Sequence, residues 1–131
     1  MFHLDYSKLK KLSIQIFDKN KQENILKEIQ DVYWAQDFSS RLIGLMNMPE
    51  NKINGLLIDN CNSIHTFFMK FPLDCLFLNK KGEIVQIAYK VKPYRMTKVY
   101  WKASKTLEIK ENLIPKNLNL QTTGIRIQCL N

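Results

Sequence analysis

The sequence feature that most constrains the fold is a pair of mainly apolar runs joined by a short connection. The runs cover residues 73–78 (LDCLFL) and 83–89 (EIVQIAY), and residues 79–82 (NKKG) join them. A connection of this length that ends in glycine is typical of a β-hairpin, because glycine readily adopts the positive φ that tight turns require. The sequence therefore predicts an antiparallel hairpin in the second half of the chain.

Further strands are predicted on both sides of this hairpin. Residues 12–17 (LSIQIF) alternate apolar and polar side chains, which is typical of a half-buried strand, and the polar run 18–24 after them resembles a turn. Other predicted strands are residues 29–35, 55–58, 99–102, 106–109 and 124–129. Because the connections are too short for repeated βαβ crossovers, we expect a largely antiparallel sheet that hides its edges in a barrel or sandwich.

Helix is expected only in short pieces. Asp37 can cap a short helix in which Phe38, Leu42 and Leu45 share one face, and residues 112–120 could include one helical turn. The sequence therefore predicts an α+β fold: a mostly antiparallel β-sheet that forms a compact barrel or sandwich with one or two short helices.

The length of 131 residues favours one domain, and no repeat or linker divides the chain. We expect a compact core over about residues 12–130 and a loose N-terminal extension before it. No apolar stretch is long enough to cross a bilayer and no secretory signal is evident, so a cytoplasmic protein is expected. We expect a monomer or a weak homo-oligomer.

The formal net charge of +8 is unevenly distributed. The segment from residue 90 to residue 105 has six basic and no acidic residues, interleaved with aromatic ones, and this combination suits single-stranded nucleic acid. Under that hypothesis the interface comprises Lys90, Lys92, Arg95, Lys98, Tyr100, Trp101, Lys102 and Lys105. The alternative is a solvated face, because 17 of the 20 basic residues are lysine and specific contacts favour arginine.

Three cysteines without a C-x-x-C pair argue against a disulfide framework or a zinc motif. Cys61 and His65 are four residues apart, so on a strand they would share a face. They could then act as nucleophile and base of a hydrolase or transferase with Asp74 orienting the imidazole, or begin a metal site with Met69. The only other histidine is His3, and the sequence supplies no complete catalytic, metal or cofactor site.

A structural interpretation of the same segment is also open. His65 and Thr66 would use their polar atoms to satisfy backbone groups, beside Phe67 and Phe71 in the core. Asp74 would stabilise a turn or pair with a cation.

Several ordered motifs resemble those of domain-of-unknown-function family 192, over about residues 32–130. The motifs are residues 41–46 (RLIGLM), residues 64–74 (IHTFFMKFPLD), Phe77, Gly82, residues 93–95 (PYR) and residues 107–108 (LE). The resemblance implies one small, mainly β domain with short helices and supplies no activity. The chain departs from the family pattern after the Leu-Glu pair (KENLI) and near its end (QTTG).

These observations favour a binding module over an enzyme. Arg41 could pair with Asp74 inside the protein, or could line a pocket for an anionic small ligand or a peptide carboxylate, because the arginine fork suits such groups. The predicted ligand-binding residues are Arg41, His65, Met69, Asp74 and Arg95. The partner would be a small ligand or a protein, with no cofactor. A further possibility is an assembly protein that docks a partner through a sheet edge or Trp101.

Overall fold

The computed structural model describes residues 6–36, 53–67 and 69–130, apart from the side chains of residues 22 and 23. Seven strands account for most of it. They are β1 (Lys10–Asp18), β2 (Lys21–Ala35), β3 (Gly55–Asp59), β4 (Leu73–Leu78), β5 (Ile84–Val91), β6 (Lys105–Lys110) and β7 (Thr123–Cys129). The predicted hairpin is confirmed as β4 and β5, which pair antiparallel.

The strands form one sheet of half-barrel shape in the order β5-β4-β6-β3-β2-β1-β7. Every neighbouring pair is antiparallel except β2 and β3, which run parallel. The sheet is therefore mixed. The prediction of a β-rich, largely antiparallel fold is confirmed.

The turn after β1 is shorter than the seven-residue turn that the polar run 18–24 predicts. Only Lys19 and Asn20 form the turn, in which the Asn20 N–H donates to the Asp18 carboxylate at 2.9 Å, and β2 begins at Lys21. Pairing with β1 along the whole length of β2 supplies the backbone hydrogen bonds that composition does not reveal. Tertiary pairing thus overrides the low β-propensity of these residues.

The predicted strand at residues 99–102 is wrong, because these residues form a turn in which the Ala103 N–H donates to the Tyr100 carbonyl at 2.8 Å. Helix within the described residues is limited to a 3-10 turn at Tyr6–Lys8. Residues 112–120 form turns without a helix, and the helix predicted after Asp37 lies outside the described residues. None of the described helical structure is long and apolar enough to span a membrane.

Alternation along the strands divides the apolar side chains between the two faces of the sheet. In β4, Leu76 and Leu78 belong to the first cluster, whereas Cys75 and Phe77 belong to the second. The second cluster also includes Ile64 and Met69, which lie in the connection between β3 and β4. Loop residues therefore cover this second face, and they position the candidate site.

Candidate functional site

Two loops pair with each other outside the main sheet. Residues 62–66, after β3, run antiparallel to residues 94–100, after β5, and we call this pair the loop ribbon. His65 and Met96 form an isolated antiparallel bridge within it. The cross-loop backbone hydrogen bonds run from Thr66 to Arg95 (2.8 Å), from Tyr94 to Thr66 (2.9 Å), from Thr97 to Ile64 (2.9 Å) and from Tyr100 to Asn62 (2.9 Å).

Thr66 fixes the ribbon at one end. Its side chain is fully buried, and its hydroxyl donates to the Lys92 carbonyl at 2.5 Å and accepts from the Arg95 N–H at 2.9 Å. Its carbonyl accepts a further hydrogen bond from the Met69 N–H at 3.2 Å. One side chain thus satisfies backbone groups of the opposite loop, which confirms for Thr66 the structural role predicted from the sequence.

Replacing Thr66 with Val is expected to lower the free energy of unfolding by about 2 kcal/mol. The shape is nearly kept, but the partly buried Arg95 N–H and Lys92 carbonyl lose their partner. Urea unfolding of Thr66→Val and of Thr66→Ser, which keeps the hydroxyl, measures the effect. The serine variant should recover most of the loss, whereas equal stability of Thr66→Val and the unmodified protein would contradict this role.

Large apolar side chains are exposed along the ribbon and beside it. Tyr94 is 59% exposed, Met96 72% and Trp101 84%. Phe67 is 38% exposed, so its predicted place in the core is wrong. The reason is that residues 61–67 do not form a regular strand, and the Phe67 ring stacks instead on the His65 imidazole, with centroids 5.1 Å apart.

The same region is strongly basic. Residues 60–73 and 84–107 include no Asp or Glu and seven Lys or Arg residues. Lys92, Arg95, Lys98 and Lys102 are exposed. The ribbon therefore presents apolar and cationic groups together on one loop pair.

The predicted nucleic-acid residues divide into two groups. Lys90, Lys92, Arg95, Lys98, Trp101 and Lys102 are exposed. Tyr100 is half-buried and packs on Phe77 with ring centroids 4.5 Å apart. The Lys105 ammonium lies 3.6 Å from the Asp59 carboxylate and over the Trp34 ring, so intramolecular contacts already engage it.

Asp74 is fully buried in β4, and both of its carboxylate oxygens accept backbone hydrogen bonds. One oxygen accepts from the Lys90 N–H at 2.8 Å and the other from the Asn112 N–H at 3.2 Å. Lys90 and Asn112 have φ of 52° and 72°, and the β4–β5 register shifts opposite Asp74. Asp74 therefore stabilises a bulge in β5 and the turn after β6, as the structural interpretation predicts.

The structure brings together two of the five predicted ligand-binding residues. His65 pairs with Met96 on the ribbon, and Arg95 adjoins that pair. Met69 is buried in the second cluster, and Asp74 is held in the sheet. Arg41, and with it the predicted pair with Asp74, lies outside the described residues.

Cys61 and His65 each make a local hydrogen bond. The Cys61 thiol donates to the Ser63 carbonyl at 3.0 Å, and the His65 Nδ1 accepts from the Phe67 N–H at 3.4 Å. The shared-face argument fails because residues 61–64 are not a strand. Among the described residues, no cluster of three His, Cys, Asp or Glu side chains could hold a metal ion.

Glu108 is a further notable residue that the sequence reasoning did not assign to a site. It lies at the centre of β6 with only 5% of its surface exposed, opposite Cys75 on β4 and Leu56 on β3. Burial in this apolar face raises the pKa of its carboxyl to about 8. The available signal was a lone acidic residue inside the apolar run 106–109 (TLEI).

Comparisons with known proteins identify the fold but no activity. A family model described as Uncharacterized ACR, domain-of-unknown-function family 192, matches residues 17–125. A protein of unknown function from Novosphingobium aromaticivorans DSM 12444 is similar, with a TM-score of 0.69, 16% identity, and coverage of 97% of this chain and 91% of that one. A proposed transcription regulator from Sinorhizobium meliloti 1021 has a TM-score of 0.70, 21% identity, and coverage of 92% and 95%. No curated protein matches the chain.

Proposed function

Since the chain belongs to domain-of-unknown-function family 192, which brings no activity with it, we propose its function from its own surface: a non-enzymatic module whose loop ribbon binds an acidic segment of a protein partner. The observation that carries this proposal is the exposure of Phe67, Tyr94 and Met96 on two hydrogen-bonded loops. Clustered exposed apolar side chains on a folded protein are typical of interaction sites.

The residue types on the ribbon favour a protein over other partners. Tyr, Phe, Met and Arg are enriched at protein interfaces, and flexible Met side chains adapt to irregular apolar surfaces. The Met96 side chain has no planar group that could stack on a nucleic-acid base. An exposed methionine is better suited to contact an aliphatic or aromatic side chain of a protein. Anchors of this kind commonly supply most of the binding free energy.

Hydrogen bonds hold the backbone of the ribbon in a fixed conformation. Cross-loop hydrogen bonds and the buried Thr66 hydroxyl fix the two loops against each other. A surface that is already ordered loses less conformational entropy on binding. The ribbon therefore resembles a preformed docking surface more than a segment that folds on its partner.

The positive charge of the ribbon favours a negatively charged partner. In the sequence, Arg95 precedes Met96 and Lys98 follows it after one residue, and no acidic residue occurs between residues 84 and 107. Such a surface attracts acidic segments and repels basic ones, and attraction of this kind raises the association rate. The predicted partner segment combines Asp or Glu with apolar side chains.

The proposal is tested by selecting short random peptides on the immobilised protein and measuring the affinity of the enriched ones. We expect enrichment of acidic peptides that include aromatic or aliphatic residues. Met96→Ser and Arg95→Glu should each weaken a selected peptide by about tenfold, or about 1.4 kcal/mol. Lys19→Glu, in the exposed β1–β2 turn, makes the same charge change as Arg95→Glu and should have little effect.

Two results would contradict the proposal. The first is a selection that enriches no sequence class over the starting library. The second is a set of acidic peptides that bind Lys19→Glu and Arg95→Glu equally weakly, because that would show attraction to net charge without a defined site.

A further inference from the structure

A concave surface lies beyond the end of the ribbon. It is an open groove of about 400 Å³ between the turn of the β4–β5 hairpin and the turn that precedes β6. The residues that line it are Asn79, Lys80, Lys81, Glu83, Trp101, Lys102, Ala103 and Ser104. Its volume falls within the range of about 300–1,000 Å³ that is usual for small-molecule sites.

Backbone hydrogen bonds hold both walls of this groove. On one side, the Asn79 side-chain carbonyl accepts from the N–H groups of Lys81 at 3.0 Å and Glu83 at 2.9 Å. The Ser104 N–H donates to the Leu78 carbonyl at 2.7 Å and so ties the second wall to the first. These hydrogen bonds fix the two walls relative to each other.

The groove combines one aromatic surface with several cations. The Trp101 indole is 84% exposed, and Lys80, Lys81 and Lys102 come from both walls. Among the described residues that line the groove, Glu83 is the only acidic one, and its carboxylate accepts from the Asn79 amide at 3.0 Å. The groove thus offers a stacking surface beside a cluster of positive charge.

We propose that this groove binds a nucleotide unit, with the base stacked on Trp101 and the phosphate held by Lys80, Lys81 and Lys102. Aromatic side chains contribute stacking to any base, and lysines neutralise phosphate without sequence preference. The inference goes beyond protein binding by the ribbon and depends on different residues. The unit would come from a free nucleotide or from one position of a single strand.

Two titrations of the intact protein distinguish these sources. Calorimetry with adenosine and uridine monophosphates measures binding of a free nucleotide. Fluorescence anisotropy with a labelled oligouridylate of about ten nucleotides measures binding of a strand. Saturable binding of the monophosphates assigns a nucleotide site, and binding of the oligonucleotide alone assigns a strand position; either result supports the proposal.

Variants then connect that binding to the groove. Trp101→Ala should weaken it about tenfold or more, as expected for loss of one stacked base. Lys102→Gln should weaken it and reduce its salt dependence, whereas Lys19→Gln should not. Trp34→Phe is an aromatic control, because Trp34 lies on β2 and is not one of the lining residues.

Three results would overturn the inference: no binding of either probe at low salt, equal affinity of Trp101→Ala and the unmodified protein, or complete competition by inorganic phosphate at equal concentration. Met96→Ser separates this site from the ribbon. That variant should leave nucleotide affinity unchanged while it reduces peptide affinity, so the two proposals can fail independently.

Discussion

Replacing Glu108 with Gln is expected to stabilise the protein above neutral pH and to remove most of the pH dependence of its stability between about pH 4.5 and 8. The carboxyl lies in the apolar face of the sheet, where burial raises its pKa to about 8. Between its unfolded and folded pKa values, the folded protein holds a proton that the unfolded chain releases. Stability therefore falls as pH rises through this window and is lowest above it.

The size of this effect follows from the pKa difference. A rise from 4.5 to about 8 corresponds to an upper bound of about 5 kcal/mol in the free energy of unfolding at high pH. Among the described residues, Tyr6 of the N-terminal turn and Cys75, opposite Glu108 on β4, interact electrostatically with Glu108. Burial is the main cause of the raised pKa of each, so neither group changes its charge within this window.

Urea unfolding at pH 5, 7 and 9 measures the prediction. The free energy of unfolding of Glu108→Gln should be closest to that of the unmodified protein at pH 5. It should exceed that of the unmodified protein increasingly at pH 7 and 9. Glu28→Gln is the matched control, because Glu28 is exposed on β2 and its bond from the Gln15 amide can persist with Gln. Parallel pH profiles for the unmodified protein and Glu108→Gln would show that the carboxyl is not held in an apolar environment.

Replacing Asp74 with Ala is expected to lower the free energy of unfolding by about 3 kcal/mol or more. The carboxylate accepts from two backbone N–H groups, those of Lys90 and Asn112, and each loss of a buried acceptor costs about 1–3 kcal/mol. Both donors belong to residues with positive φ, so the backbone has no regular strand partner to offer them. Asp74→Asn keeps one acceptor oxygen and should give an intermediate loss.

The control for this prediction is Asp18→Ala. The Asp18 carboxylate also accepts a backbone N–H, that of Asn20, but in an exposed turn where water can replace it. Its loss should cost about 1 kcal/mol or less. Equal losses for the alanine variants of Asp18 and Asp74, measured by urea unfolding, would show that burial adds nothing to the role of Asp74.

Local sequence patterns predict those strands whose own residues show a clear apolar pattern. The hairpin of β4 and β5 is predicted because apolar runs flank a glycine-ended turn, whereas β6 and β7 are predicted from their own short runs of strand-forming residues. The polar beginning of β2 was missed, because its pairing with β1 is a tertiary interaction that composition does not encode. A strand boundary that depends on pairing with another strand is therefore harder to predict than a strand that its own sequence pattern indicates.

Sequence reasoning identifies only part of the candidate site. His65 and Arg95 were identified, but their neighbourhood depends on the hydroxyl of Thr66, which joins loops that are about thirty residues apart. The exposure of Phe67 and the burial of Glu108 also depend on this long-range packing. Residue types thus point to the segment, while the three-dimensional pairing of loops determines which side chains are exposed.

Amide chemical-shift mapping by NMR tests the proposed binding surface directly. Isotopically labelled protein is titrated with the acidic peptide that the selection enriches most. The largest shifts are expected at residues 64–67 and 94–98, with little change in β1 and β7. Shifts spread over basic residues throughout the protein, or concentrated away from the loop ribbon, would contradict its role as the recognition surface.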